Sequence, residues 1–114
     1  MIVTCDSIEP IDFIGLSILD YTAGLDTGSS FAVITVPPYA SHAEAWSKRS
    51  DKYYYVASGE VEFTLDGKIQ VLSTGDFCVV LRGKHFSYRN PGPHEAKLHL
   101  VHTPSFDPDS EVFV

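Results

Sequence analysis

The sequence predicts an all-β domain, a small antiparallel sandwich or closed barrel, and three observations carry that reading. Turn glycines recur at near-regular intervals through Gly59, Gly67, Gly75, Gly83 and Gly92. The runs between them are about five residues long, the length of a short strand. No 3.6-residue periodicity persists beyond a turn or two anywhere in the chain. A barrel of this kind has one natural pocket, its interior. Function then depends on which polar side chains point inward.

The elements follow in order. Residues 1–30 form an N-terminal strand or arm that ends in a turn-rich loop from Gly24 to Ser30. Phe31 to Val36 reads as a strand, stopped by Pro37-Pro38, which together remove two backbone donors. Ala40 to Arg49 is ambiguous and could hold a helical turn. Tyr53 to Ala57 is an aromatic strand, and Ser58-Gly59 turns it into Val61 to Leu65. Alternation there puts Val61, Phe63 and Leu65 on one face. Asp66-Gly67 is a hairpin turn, because both residues tolerate positive φ, and Lys68 to Leu72 returns as its partner. Ser73 to Asp76 turns into the strand Phe77 to Leu81. Arg82 to Lys84 turns into Phe86 to Arg89, and Asn90 to Pro93 turns again. Ala96 to Thr103 is the last long strand. Pro104 and Pro108 break the tail, and Glu111 to Val114 could add a short edge strand.

Length and charge narrow the function. One domain spans 1–114, large enough for one core without disulfide staples. The hydrophobic share of 44% and charged share of 20% are those of an ordered globular chain. A net charge of −7 repels phosphate backbones and anionic membranes, so neither nucleic acid nor a membrane is the expected partner. No apolar run approaches the roughly 20 residues of a membrane span. Residues Met1 to Asp6 lack a basic segment followed by an apolar one, so a cytoplasmic location is expected. Cys5 and Cys78 fit no metal pair, and Cys78 reads as a small buried hydrophobe.

From about residue 37 to 113 the chain resembles the cupin family. Gly59, Gly75, Gly83 and Asn90 fall at the landmarks of its two motifs, G-x5-H-x-H-x3,4-E-x6-G and G-x5-P-x-G-x2-H-x3-N. The resemblance implies a double-stranded β-helix, or jelly-roll barrel. The chemical positions depart from the pattern. His42 is followed two residues on by Glu44 instead of His. Lys52 stands where the ligand carboxylate belongs, and Phe86 where the last His belongs. The stretch His42 to Gly59 resembles small cupins that work without metal and act as dehydratases. In that group a histidine at the place of His42 serves as base, and tyrosines match Tyr55 and Tyr88. A lysine that helps those proteins bind substrate has no counterpart at Gly15-Leu16-Ser17.

These residues define the expected site. His42 is the candidate base, since an imidazole can take a proton near neutral pH. Glu44 is expected to orient it or to act as proton donor. Tyr53, Tyr54 and Tyr55 must divide between two faces. The resemblance favours Tyr55 for the pocket, whereas parity favours Tyr54 together with Lys52. Tyr88 shares parity with Phe86, and both are expected to face inward. His102 shares parity with Leu98 and Leu100 and should also face the interior, while His99 and His94 should lie outside. Trp46 is set as a lid, as a contact to another subunit or as core. Arg49, Lys52 and Lys84 are the positive groups nearest the mouth and are expected as solvated charges, with anion binding as the alternative, and Lys52, Tyr54, Phe86, His102 and Trp46 are the candidate substrate-binding residues.

The expected function is a small-molecule lyase or isomerase that moves a proton next to a carbonyl without a cofactor. A metal-dependent cupin using His42, Glu44 and His102 as an altered ligand set is the alternative, with a non-catalytic ligand-binding module as a third reading. The apolar tail Val112-Phe113-Val114 could support a homodimer.

Overall fold

A computed structural model describes residues 1–114 and contains eleven strands and two short 3-10 turns. The strands are β1 (Ile11–Phe13), β2 (Leu16–Asp20), β3 (Ser30–Val36), β4 (Ser41–Ser47), β5 (Asp51–Ser58), β6 (Glu60–Leu65), β7 (Lys68–Ser73), β8 (Phe77–Val80), β9 (Phe86–Arg89), β10 (Ala96–Thr103) and β11 (Glu111–Phe113). They form two antiparallel sheets, ordered β1-β2-β3-β10-β5-β8 and β11-β4-β9-β6-β7. This is the antiparallel sandwich that the turn rhythm predicts, in the jelly-roll form that the cupin resemblance implies.

Alternation builds the core. Ala96, Leu98, Leu100 and His102 of β10 are buried, as are Lys52, Tyr54 and Val56 of β5. Val61 and Phe63 of β6 and Phe86 and Tyr88 of β9 face them from the other sheet. Asn90 locks the closing turn. Its amide donates to the Val36 carbonyl at 3.1 Å and to the His94 carbonyl at 2.6 Å, and its oxygen accepts from Gly92 N–H at 3.0 Å. Asp66 and Gly67 turn with φ of 49° and 78°, the double positive φ expected of that hairpin.

Two segments differ from the sequence reading. The ambiguous stretch from Ala40 is not helical; it holds strand β4. A β-bulge lies between His42 and Ala45, where the register with β9 shifts. The extra residue breaks the two-residue alternation, which removes the pattern that marks a strand. The N-terminal arm contains a full hairpin, β1 to β2, turning at Ile14-Gly15 with φ of 48° and 87°. An isoleucine at positive φ is not a turn signal, so the hairpin leaves little trace in sequence.

Gly59 sits at φ 81° with the backbone of Glu95 and Ala96 pressed against it, so a Cβ there would lie 2.8 Å from the Glu95 carbonyl oxygen. Gly67 has φ 78° and open space around it. Gly67→Ala is therefore expected to cost about 1–2 kcal/mol, the left-handed penalty alone. Gly59→Ala is expected to cost about 2–4 kcal/mol, because the clash adds to that penalty. Urea unfolding of the two variants measures the difference.

Candidate active site

Between the sheets, toward one end, lies a cavity of about 280 Å³. Its walls are mostly apolar, with a small set of polar residues: Asp20, Ser30, His42, Lys52, His102 and Glu111, with Tyr54 and Tyr88. The strands position these groups by parity. Lys52 and Tyr54 alternate inward on β5, Tyr88 on β9 and His102 on β10. Glu111 and Phe113 come from β11, which pairs with β4 at the sheet edge.

His42 is half-buried among aromatic rings. Its centroid lies 5.1 Å from Phe86, 5.2 Å from Tyr88, 5.7 Å from Phe13 and 5.8 Å from Phe113. Its Nδ1 lies 2.7 Å from the Ala43 carbonyl oxygen. A carbonyl only accepts, so Nδ1 carries the hydrogen, and in the neutral ring Nε2 keeps the lone pair. Burial pushes its pKa below the ordinary imidazole value of 6.5; the bond to Ala43 opposes this, Lys52 adds to it and Glu111 opposes it. At neutral pH the ring is therefore an uncharged base.

Lys52 is only 4% exposed, and its ammonium is ion-paired with Glu111. It also sits 4.5 Å above the Phe86 ring centroid. Burial lowers its pKa, and the Glu111 carboxylate acts the other way. His102 lies beside the pair, with Nε2 4.0 Å from Glu111 Oε1. Burial, then the Lys52 charge, push its pKa down to about 3. Burial raises the pKa of both Tyr54 and Tyr88, so both keep their hydroxyl hydrogens. Tyr88 Oη and His102 Nε2 are buried with no hydrogen-bond partner.

Several expected residues stand elsewhere. Glu44 does not touch His42: the bulge turns it outward, where its carboxylate pairs with His85 Nδ1 at 3.1 Å. The Ala43 carbonyl orients His42 in its place. Tyr55 is 42% exposed on the outer face, against His99, because strand parity gives the inward position to Tyr54. Trp46 stacks on His85 outside the cavity, with an interplanar angle of 10°. Phe86 is buried beneath Lys52 and His42 as the floor of the polar cluster, not as a cavity wall. Lys52 is not a solvated charge. Arg49 and Lys84 are exposed; Arg49 donates to the Ser105 carbonyl, and Lys84 pairs with Asp66 at 3.3 Å. His102 faces inward as parity requires, and His94 is exposed. His99 is half-buried on the outer face between Phe31 and Tyr55. Sequence reasoning missed Glu111. Its only signal was alternation in the tail, which pairs it in parity with Phe113.

Residues 32–102 match the model of the cupin domain. The chain belongs to the cupin family. Its fold is similar to that of a single-substitution variant of Streptomyces Pac13 with uridine, at TM-score 0.86 and 21% identity, covering 98% of this chain and 88% of that one. Pac13 is described as a unique nucleoside dehydratase. A predicted oxalate decarboxylase of Thermotoga maritima matches at TM-score 0.81 and 21% identity, covering 91% and 99% of the two chains. KdgF from Halomonas sp. matches at 0.79 and 19%, covering 96% of each. At such identities the likeness is one of fold. Among curated proteins, the endoribonuclease YbeY of Myxococcus xanthus is 26% identical over 98 residues. Those residues are 86% of this chain and 31% of that protein, so the chain spans about a third of the relative's length.

Many cupins hold a divalent ion, and this donor set does not fit one. No three His, Cys, Asp or Glu side chains converge in metal-holding geometry. Glu44 is turned away from His42, and the ammonium of Lys52 occupies the place of a ligand carboxylate. An ammonium has only donors and repels a cation.

Two outcomes follow. Lys52→Met strands the Glu111 carboxylate and is expected to cost about 3–5 kcal/mol, whereas Lys52→Met with Glu111→Leu should recover most of that loss, as read by denaturant midpoints. His102 titrates at 6.5 when unfolded and at about 3 when folded. Between those values the unfolded chain binds the extra proton. Stability is thus full above pH 6.5 and falls as pH drops toward 3. His102→Leu should flatten that part of the stability–pH curve.

Proposed function

We propose that this cupin is a lyase or isomerase that moves a proton next to the carbonyl of a small organic molecule, without a metal. The observation that carries the reading is His42, an uncharged imidazole whose Nδ1 hydrogen is fixed on a backbone carbonyl and whose ring lines the cavity. That arrangement commits Nε2 to accepting a proton. The fold likeness to a nucleoside dehydratase is consistent with this chemistry class, and a nucleoside-sized substrate is one candidate.

The residues divide the work. The Tyr88 hydroxyl, kept protonated by burial, donates to the substrate carbonyl oxygen. His42 Nε2 takes the α-proton, and the electron pair moves onto that oxygen as an enolate. The Tyr88 hydrogen bond stabilises the developing charge in a cavity with little water to compete. The enolate then collapses in one of two ways. Where the substrate has a β,γ-double bond, the enolate is conjugated with it and the imidazolium returns its proton to the γ-carbon, which is isomerisation. Alternatively a β-hydroxyl leaves and takes that proton as water, which is dehydration. Both routes balance without an oxidant or reductant. Glu44 and Tyr55, which face outward, take no part.

His42→Gln should keep ligand binding and lower turnover about 10²–10⁴-fold, the usual range for loss of a general base. In the wild type, the acid limb of the rate–pH profile should have its midpoint below 6.5, the direction in which burial moves His42. Tyr88→Phe should lower kcat more than it raises KM. Turnover undiminished in His42→Gln would remove the proposal.

A further inference from the structure

We propose that this cavity selects uncharged ligands, namely small ring-bodied carbonyl or hydroxy compounds, and rejects carboxylates and phosphates. The inference takes the catalytic cavity above as its location and adds the class of molecule that enters it.

The first argument is charge. Lys52 is the only lysine or arginine lining the cavity, and it is already paired with Glu111. The pair sums to zero whichever partner holds the shared proton. His42 and His102 stand uncharged beside it. The remaining ionisable wall residue is Asp20, whose Oδ1 accepts from Thr22 N–H at 3.1 Å. Its charge is negative. An anion entering here would lose its hydration, find no free counter-charge and meet a net negative wall. The chain's overall charge of −7 adds to the repulsion.

The second argument is hydrogen bonding. Tyr88 Oη and His102 Nε2 are the buried side-chain polar atoms without a partner. Tyr88 is 2% exposed and His102 6%. They lie on opposite sheets, on β9 and β10, and both line the cavity. Buried polar atoms in native proteins nearly always have partners, so a ligand is the natural one for these two. A phenol hydroxyl and a neutral imidazole are satisfied by a carbonyl or a hydroxyl, and neither brings a charge to offset a carboxylate. The apolar remainder, including Phe13, Phe106 and Phe113, suits a flat or ring-shaped body.

The test compares 2-hydroxyacetophenone, an uncharged ketol, with mandelate, a carboxylate of similar size, by amide NMR titration of the full chain at pH 7.5. The ketol should bind at least tenfold tighter than mandelate and shift residues of β9 and β10. Tyr88→Phe should weaken ketol binding severalfold. Glu111→Gln removes the carboxylate at nearly constant shape and should raise mandelate affinity at least tenfold, because the mandelate carboxylate then takes the place of Glu111 beside Lys52. The spectrum of that variant reports whether it is folded, and the wild-type comparison stands without it. Mandelate binding as tightly as the ketol would overturn the proposal. So would a folded Glu111→Gln variant with unchanged mandelate affinity, or no ketol-induced shift at roughly 20 mM ligand. Binding is read without turnover, so failure of the His42 chemistry would leave this result intact.

Discussion

The buried ion pair between Lys52 and Glu111 is the constraint on which the rest of the site depends. An ammonium inside a β-sandwich is costly unless a carboxylate reaches it. Lys52 is fixed by β5, which is paired on both sides with β10 and β8, so the carboxylate has to be brought to it. The C-terminal tail does this: after the turn at Pro108–Ser110, β11 pairs with β4 and carries Glu111 to the ammonium. The same strand sets Phe113 against His42. One electrostatic requirement thus explains why a strand of only three residues closes the cavity. It also places an already paired lysine where the family's pattern has a ligand carboxylate, so this donor set departs from a metal-binding one.

The pair works on its surroundings through charge and through space. Lys52 disfavours protonation of both imidazoles, in addition to the larger effect of burial. The two histidines nevertheless differ. His42 has a backbone carbonyl that fixes its tautomer and a half-open setting, so it retains a usable basicity. His102 has neither, and its pKa is driven far below that of a working base. Equal side chains on two strands therefore differ in basicity and in hydrogen bonding. The aromatic rings around His42 lower the local polarity, the setting in which the proposed hydrogen bond from Tyr88 to a substrate would gain strength.

Much of the fold was legible because turn residues announce themselves. The glycines and Asp66-Gly67 require backbone conformations that few other residues adopt, and between them alternation marks the faces. The same alternation placed Phe86, Tyr88 and His102 inward and favoured Tyr54 over Tyr55. It failed at β4. Counting two residues on from His42 puts Glu44 on the same face, but the bulge adds a residue, and Ala45 takes the inward place. A bulge is a relation between two strands, so one strand's sequence does not contain it. The partner of Lys52 was hidden for a similar reason. Glu111 is 59 positions away in the chain, and no local pattern links a buried amine to a carboxylate at that distance.

The bulge also gives the site its division of labour. In an unbulged β4, Glu44 would face inward with His42 and bring a second carboxylate beside Glu111. The cavity would then carry excess negative charge, raise the imidazole pKa and move closer to a cation-binding set. With the bulge, Glu44 faces out and pairs with His85 beneath Trp46. The carbonyl of the bulged residue Ala43 is left free to accept the Nδ1 hydrogen of His42. A single extra residue in the backbone therefore removes a charge from the cavity and supplies the neutral group that orients the base. Neither effect needs a change of residue type.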